Sequence, residues 1–138
     1  MAILFHFEDV KKFSLERNKI KSWIKSSIEA EEKKLGDVNF IFCSDDYLLD
    51  VNRQYLNHDY YTDIITFDYV EDRLISGDLF ISCDRVVENA ETFQVKFDEE
   101  MRRMLIHGVL HLLGYKDKEP ADKELMTSKE NFYLAKFS

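Results

Sequence analysis

Residues 98–117 read DEEMRRMLIHGVLHLLGYKD. Three acidic residues open the segment, apolar positions follow at helical spacing, and Gly114 closes them. Asp98, Glu99 and Glu100 suit the positive end of a helix macrodipole, and Gly114 suits a C-terminal cap, so the spacing predicts a helix over 98–114. The helix looks built for a hydrophobic core, yet it carries His107 and His111 one turn apart on one face. A single imidazole in a core is usually a satisfied core histidine. Two of them double the cost of finding partners for both ring nitrogens.

A metal ion relieves that cost by taking one nitrogen from each ring. Gly114 lets the chain turn back, and Asp117 follows six residues after His111, within reach of the same side. The pattern H-x3-H-x5-D supplies three ligands and leaves a fourth position for water, which is the donor set of an open catalytic site. The other reading of Asp117 is a solvated loop residue, which leaves two protein ligands. The spacing also matches the zinc motif of the metzincin proteases, with two changes. Gly108 stands where those enzymes carry a glutamate base, and Asp117 stands where they carry a third histidine. Without that carboxylate the protease mechanism has no proton acceptor, and close packing of the helix is a reason to keep a glycine there.

Outward from this helix the chain alternates short strands and amphipathic helices. Strands are predicted at 3–7, 38–43, 63–70 and 74–82, with EDR at 71–73 as the hairpin turn and Gly77 marking a bulge or a close backbone approach. Helices are predicted at 14–34, capped by Ser14 and ended by Gly36, after Ser44, at 83–93, and at 119–135 behind Pro120. Leu125, Phe132 and Leu134 are the expected apolar anchors of the last one. The class is therefore α+β, a small mixed sheet flanked by helices, with a metal-binding helix followed by a glycine turn.

The 138 residues fit a single domain, 1–138, with 45% hydrophobic and 33% charged residues and neither repeat nor linker. A formal charge of −8 disfavours nonspecific binding to nucleic acid, which rests on a basic surface. Cys43 and Cys83 match no paired metal spacing and read as buried reduced thiols, so no disulfide is expected. MAILFHFEDV lacks a basic n-region and no apolar run spans a membrane, so a cytoplasmic location is expected.

HGVLHLLGYKD resembles the HGxLHLxGYDH signature of the YbeY family, the bacterial rRNA-maturation endoribonucleases. VNRQYLNHDYYTDIITF, 51–67, is similar to that family's LNxxYRxKDxPTDVLSF segment, with Asn52, Tyr55, Asp59, Thr62, Asp63 and Phe67 at matching places. GDLFIS, 77–82, and the pair Met126 and Glu130 match as well. The resemblance implies one zinc ion and a single-strand-specific, metal-dependent endoribonuclease. It implies work on ribosomal RNA and the ribosome or its small subunit, in maturing the 16S 3′ end and in quality control, with neither DNA nor a membrane as partner.

Carried over, His107 and His111 are the first two ligands, and Asp117 replaces the third histidine. A carboxylate there makes the metal a slightly weaker Lewis acid and raises the pKa of its water. The family's arginine after the tyrosine is Leu56, its lysine is His58, and its proline before Thr-Asp is Tyr61. Arg53, one turn earlier, and His58 are the candidate substrate-binding residues. Asp63 and Asp59 are candidates for orienting a nucleophile or an imidazole. The loss of positive charge in this loop also admits a ribosome-associated assembly factor whose metal is mainly structural, and the zincin-like protease ranks behind both.

Overall fold

A computed structural model describes residues 1–137. It contains four strands, β1 (Ile3–Phe7), β2 (Lys34–Cys43), β3 (Ile64–Asp68) and β4 (Leu74–Ser82). Five helices accompany them: α1 (Arg17–Ala30), α2 (Asp45–Leu56), α3 (Cys83–Phe93), α4 (Phe97–Leu112) and α5 (Pro120–Leu134). The sheet order is β1-β2-β4-β3. β1, β2 and β4 run parallel, and β3 is antiparallel to β4 through the predicted hairpin. This is the expected α+β class.

Period-two alternation explains the two faces of the sheet. Ile3, Phe40, Phe42, Ile75, Leu79 and Ile81 point to one side and join Trp23, Ile24 and Ile28 of α1 and Leu105, Ile106 and Val109 of α4 in the main core. On the other side Cys43 and Ile65 pack under Leu48 and Val51 of α2. Ser44 caps α2 by accepting from the Tyr47 amide, and Ser82 caps α3 through the Arg85 amide.

Helix α4 lies in the centre, and nine of its sixteen residues are buried, which is why its sequence is apolar well beyond one stripe. Gly108 faces the sheet: a Cβ there would meet Leu79 Cδ2 at 2.8 Å and Ile64 Cδ1 at 2.9 Å. Overpacking of this kind costs about 1–3 kcal/mol, against about 1 kcal/mol for a mid-helix glycine, so the close approach favours the glycine.

Three local expectations are corrected. Helix α1 starts at Arg17 rather than at Ser14, because Leu15 is drawn onto the core and Glu16 occupies the cap position without a side-chain bond. Gly36 lies inside β2, beside the register shift between Leu35 and Val38, where a Cβ would collide with the Ile75 carbonyl at 2.9 Å. Gly77, by contrast, is as expected: it pairs with Val38 at the edge of that register shift, and Leu112 and the Phe67 carbonyl would both lie 2.7 Å from a Cβ. In α5 the buried face is Met126, Glu130 and Tyr133, while Leu125 and Phe132 are about half exposed. A carboxylate in the middle of the inward stripe masks the true face.

Both cysteines are free thiols, Cys43 buried and Cys83 half-buried. Burial, then the Asp9 carboxylate, pushes the Cys43 thiol up to about 12. Burial and Asp84 push Cys83 to about 11. At about pH 8 both should resist alkylation in the native protein and react on unfolding. Each folded pKa is raised above the ordinary 9.0. The associated stability is therefore complete below about pH 9 and is lost as the pH climbs through about 11 to 12. Denaturant midpoints that stay flat up to about pH 9 and fall above it would show this.

Candidate metal centre

Helical geometry sets His107 and His111 on one face, with their Nε2 atoms 3.1 Å apart. Gly114 adopts φ +104°, a conformation that L side chains rarely take, and reverses the chain. The Tyr115 amide then donates to the Leu110 carbonyl at 3.0 Å, and Asp117 returns over the histidines. Its Oδ2 lies 3.3 Å from each Nε2. The three ligand atoms form a nearly equilateral triangle. Tetrahedral zinc with bonds of about 2.0–2.1 Å has ligand–ligand edges of about 3.3–3.4 Å.

The opposite ring nitrogens fix the tautomers. His107 Nδ1 lies 2.6 Å from Glu130 Oε2, and His111 Nδ1 lies 3.1 Å from the Tyr115 carbonyl oxygen. Both partners only accept, so each Nδ1 carries its hydrogen, and each neutral ring turns an Nε2 lone pair inward. With both rings neutral, two imidazole lone pairs and a carboxylate oxygen converge with no donor among them. Such a triangle is stabilised by a cation at its centre, and the donor set fits a divalent metal of the zinc type.

The surrounding charges favour the same outcome. Burial opposes protonation of His107, but the Glu130 hydrogen bond and charge, helped by Asp117 and Asp63, outweigh it and hold its pKa above the ordinary value. Burial and the neighbouring His107 hold His111 below its ordinary value. Glu130 is itself buried and accepts from Arg103 Nη1 at 2.8 Å through its other oxygen. A chain of contacts thus runs from Arg103 through Glu130 and His107 to the ligand triangle. Arg103 and Glu130 were not assigned roles from the sequence. The signal for Glu130 was the Met126–Glu130 match, whereas Arg103 had none beyond its place one turn before His107.

The other candidates from the 51–67 segment fall in different places. Arg53 Nε pairs with Asp59 at the exposed end of α2 and Nη1 lies 3.8 Å from Asp50, so two carboxylates already accompany it. His58 stacks on Tyr60 with ring centroids 5.2 Å apart. Asp63 immediately precedes β3, its carbonyl accepts from the Ser82 amide at 3.0 Å, and its carboxylate contributes to the field at His107. Asn52 is buried and donates to the Tyr60 carbonyl at 2.9 Å, which pins the loop after α2. Among the described residues, only His107, His111 and Asp117 form a group of metal-ligating side chains this close. No helix is long and apolar enough to cross a membrane among the described residues.

The sequence and the fold both match known proteins. A protein from Thermotoga maritima, solved in solution, superposes with a TM-score of 0.68 at 26% identity, over 99% of this chain and 89% of that one. A protein of Parabacteroides distasonis named endoribonuclease YbeY is 53% identical over 98% of this chain and 95% of its own length. One from Flavobacterium johnsoniae with the same name is 50% identical over 98% and 96%. The family model described as endoribonuclease YbeY matches residues 6–138. With the histidine pair, the glycine turn and the returning carboxylate in place, the chain belongs to the YbeY family.

Proposed function

We propose that residues 1–138 act as one domain, a zinc-dependent endoribonuclease that cleaves single-stranded ribosomal RNA in the cytoplasm, at the 16S 3′ end and in ribosome quality control. The observation that carries this reading is the triangle of His107 Nε2, His111 Nε2 and Asp117 Oδ2, with edges of 3.1–3.3 Å. The relatives named endoribonuclease YbeY support the substrate class. His107, His111 and Asp117 would hold one zinc ion. When bound, such an ion polarises a phosphoryl oxygen and lowers the pKa of a coordinated water. The chain's own part is orientation. Glu130 holds the His107 ring, the Tyr115 carbonyl holds the His111 ring, and Asp63 adds negative charge beside them.

A protease is disfavoured because position 108 faces Leu79 and Ile64 of the sheet, so it offers no place for a base. One observation favours a second reading, an assembly factor with a mainly structural metal. The end of α2 presents Leu56 and an Arg53 already paired with Asp59 where a free cation is expected to meet phosphate.

Asp117→Ala tests the main reading against the second. Zinc affinity is expected to fall at least tenfold, with cleavage of a single-stranded RNA falling in parallel. Asp117→His, which restores three imidazoles, should regain both. Wild-type protein that binds zinc and ribosomal particles without cutting RNA would favour the assembly factor.

A further inference from the structure

Outside the ligand triangle a partly buried ionic cluster around Glu31 reaches the same loop. Glu31, at the C-terminal cap of α1, is largely shielded. Its Oε1 accepts from the Tyr115 hydroxyl at 2.5 Å. Its Oε2 accepts from the Tyr133 hydroxyl and lies 3.2 Å from Lys129 Nζ. One carboxylate therefore gathers α1, the Gly114–Tyr115 turn and α5. The turn matters because the Tyr115 carbonyl is the acceptor for His111 Nδ1, and Asp117 lies two residues further on.

A hydroxyl on a turn residue can be satisfied by water, so packing alone does not call for a charged clamp at this point. The backbone of the turn is held by the Gly114 and Tyr115 amides on the His111 and Leu110 carbonyls, but the residues after it carry no such bonds to a helix or strand. Gly114 has nothing within 4 Å of where a Cβ would stand, and Lys116 and Lys118 flank Asp117 in an irregular segment. Loops of this kind open at low cost unless their ends are tied down. Glu31 supplies the tie through the Tyr115 side chain, on the residue whose backbone orients a ligand.

We propose that Glu31 is a positioning residue for the metal centre: through Tyr115 it presets the His111 ring and the return of Asp117. The proposal rests on the metal-site reading above, but it makes a claim about the metal-free protein that can fail separately. Glu31→Ala should weaken zinc binding by about tenfold, in the range that outer partners of metal ligands command. Glu31→Gln keeps one acceptor oxygen and should lose less. Tyr115→Phe removes only the hydroxyl, leaves Tyr133 and Lys129 on Glu31, and serves as the test if Glu31→Ala does not fold.

The experiment pairs zinc titration with long-range nitrogen-15 NMR of the imidazoles in metal-free protein. The expected result is a His111 that is Nδ1-protonated in the wild type and mixed in Glu31→Ala and Tyr115→Phe, while His107, held by Glu130, is unchanged. A His111 tautomer that becomes mixed in the variants, when the wild type itself binds no zinc, would support positioning and remove the metal reading. Zinc affinity within threefold of the wild type, with an unchanged His111, would overturn the proposal and make Glu31 a stabilising contact between α1 and α5 only.

Discussion

Replacing His107 or His111 by alanine is expected to abolish both zinc binding and RNA cleavage while leaving the chain folded. Zinc sites with four protein ligands gain roughly 10–16 kcal/mol, or about 2.5–4 kcal/mol per ligand, so losing one of three should cost about two to three orders of magnitude in affinity. The fold should survive because the main core does not depend on the rings. His107 and His111 are only half-buried, whereas Leu105, Ile106, Val109 and Leu110 beside them are fully buried. Far-ultraviolet circular dichroism like that of the wild type, no zinc retained after dialysis, and cleavage at the level of a protein-free control would be the expected set. Cleavage that persists in a folded His107→Ala protein would falsify the assignment of activity to this site.

That expectation was legible in the sequence because its elements are local. His107, His111, Gly114 and Asp117 lie within eleven residues, and helix geometry with one glycine turn suffices to bring them together. The strands and the hairpin were legible for the same reason, since β-branched and aromatic runs with a polar EDR between them specify neighbours in sequence. What was not legible depends on contacts across the chain. Glu130 reads as a surface carboxylate until α5 is laid on α4, and then its burial is explained by Arg103 on one oxygen and His107 on the other. Glu31 is eighty-four residues from Tyr115 and belongs to a helix end that looks solvated. Gly36 reads as a helix terminator because glycine marks both helix ends and close strand approach, and only the pairing of β2 with β4 separates the two. The loop after α2 lies between these cases. Its composition showed the lost positive charge, but the pairing of Arg53 with Asp59 needed the fold.

The buried Glu130 should separate stability from metal affinity. Glu130→Ala leaves Arg103 without its carboxylate and His107 Nδ1 without its acceptor. Removing one partner of a fully buried pair costs about 3–5 kcal/mol. The Arg103 side chain is 35% exposed and recovers water, which reduces this to about 1–3 kcal/mol. Zinc affinity should fall between about tenfold and a hundredfold, because the ring loses the partner that fixes its tautomer and raises its basicity. Glu130→Gln keeps the volume and one acceptor oxygen, which can serve His107 or Arg103 as a neutral group. It should recover most of the stability and little of the affinity, because the negative charge behind the imidazole is gone. Chemical denaturation and zinc titration on both variants give the two readings independently. If Glu130→Gln matches the wild type in affinity, the charge behind His107 does not tune the metal, and Glu130 serves only to hold α5 against α4. If both quantities fall together in both variants, the Arg103–Glu130 pair is a folding element, and the loss of zinc affinity follows from the loss of fold.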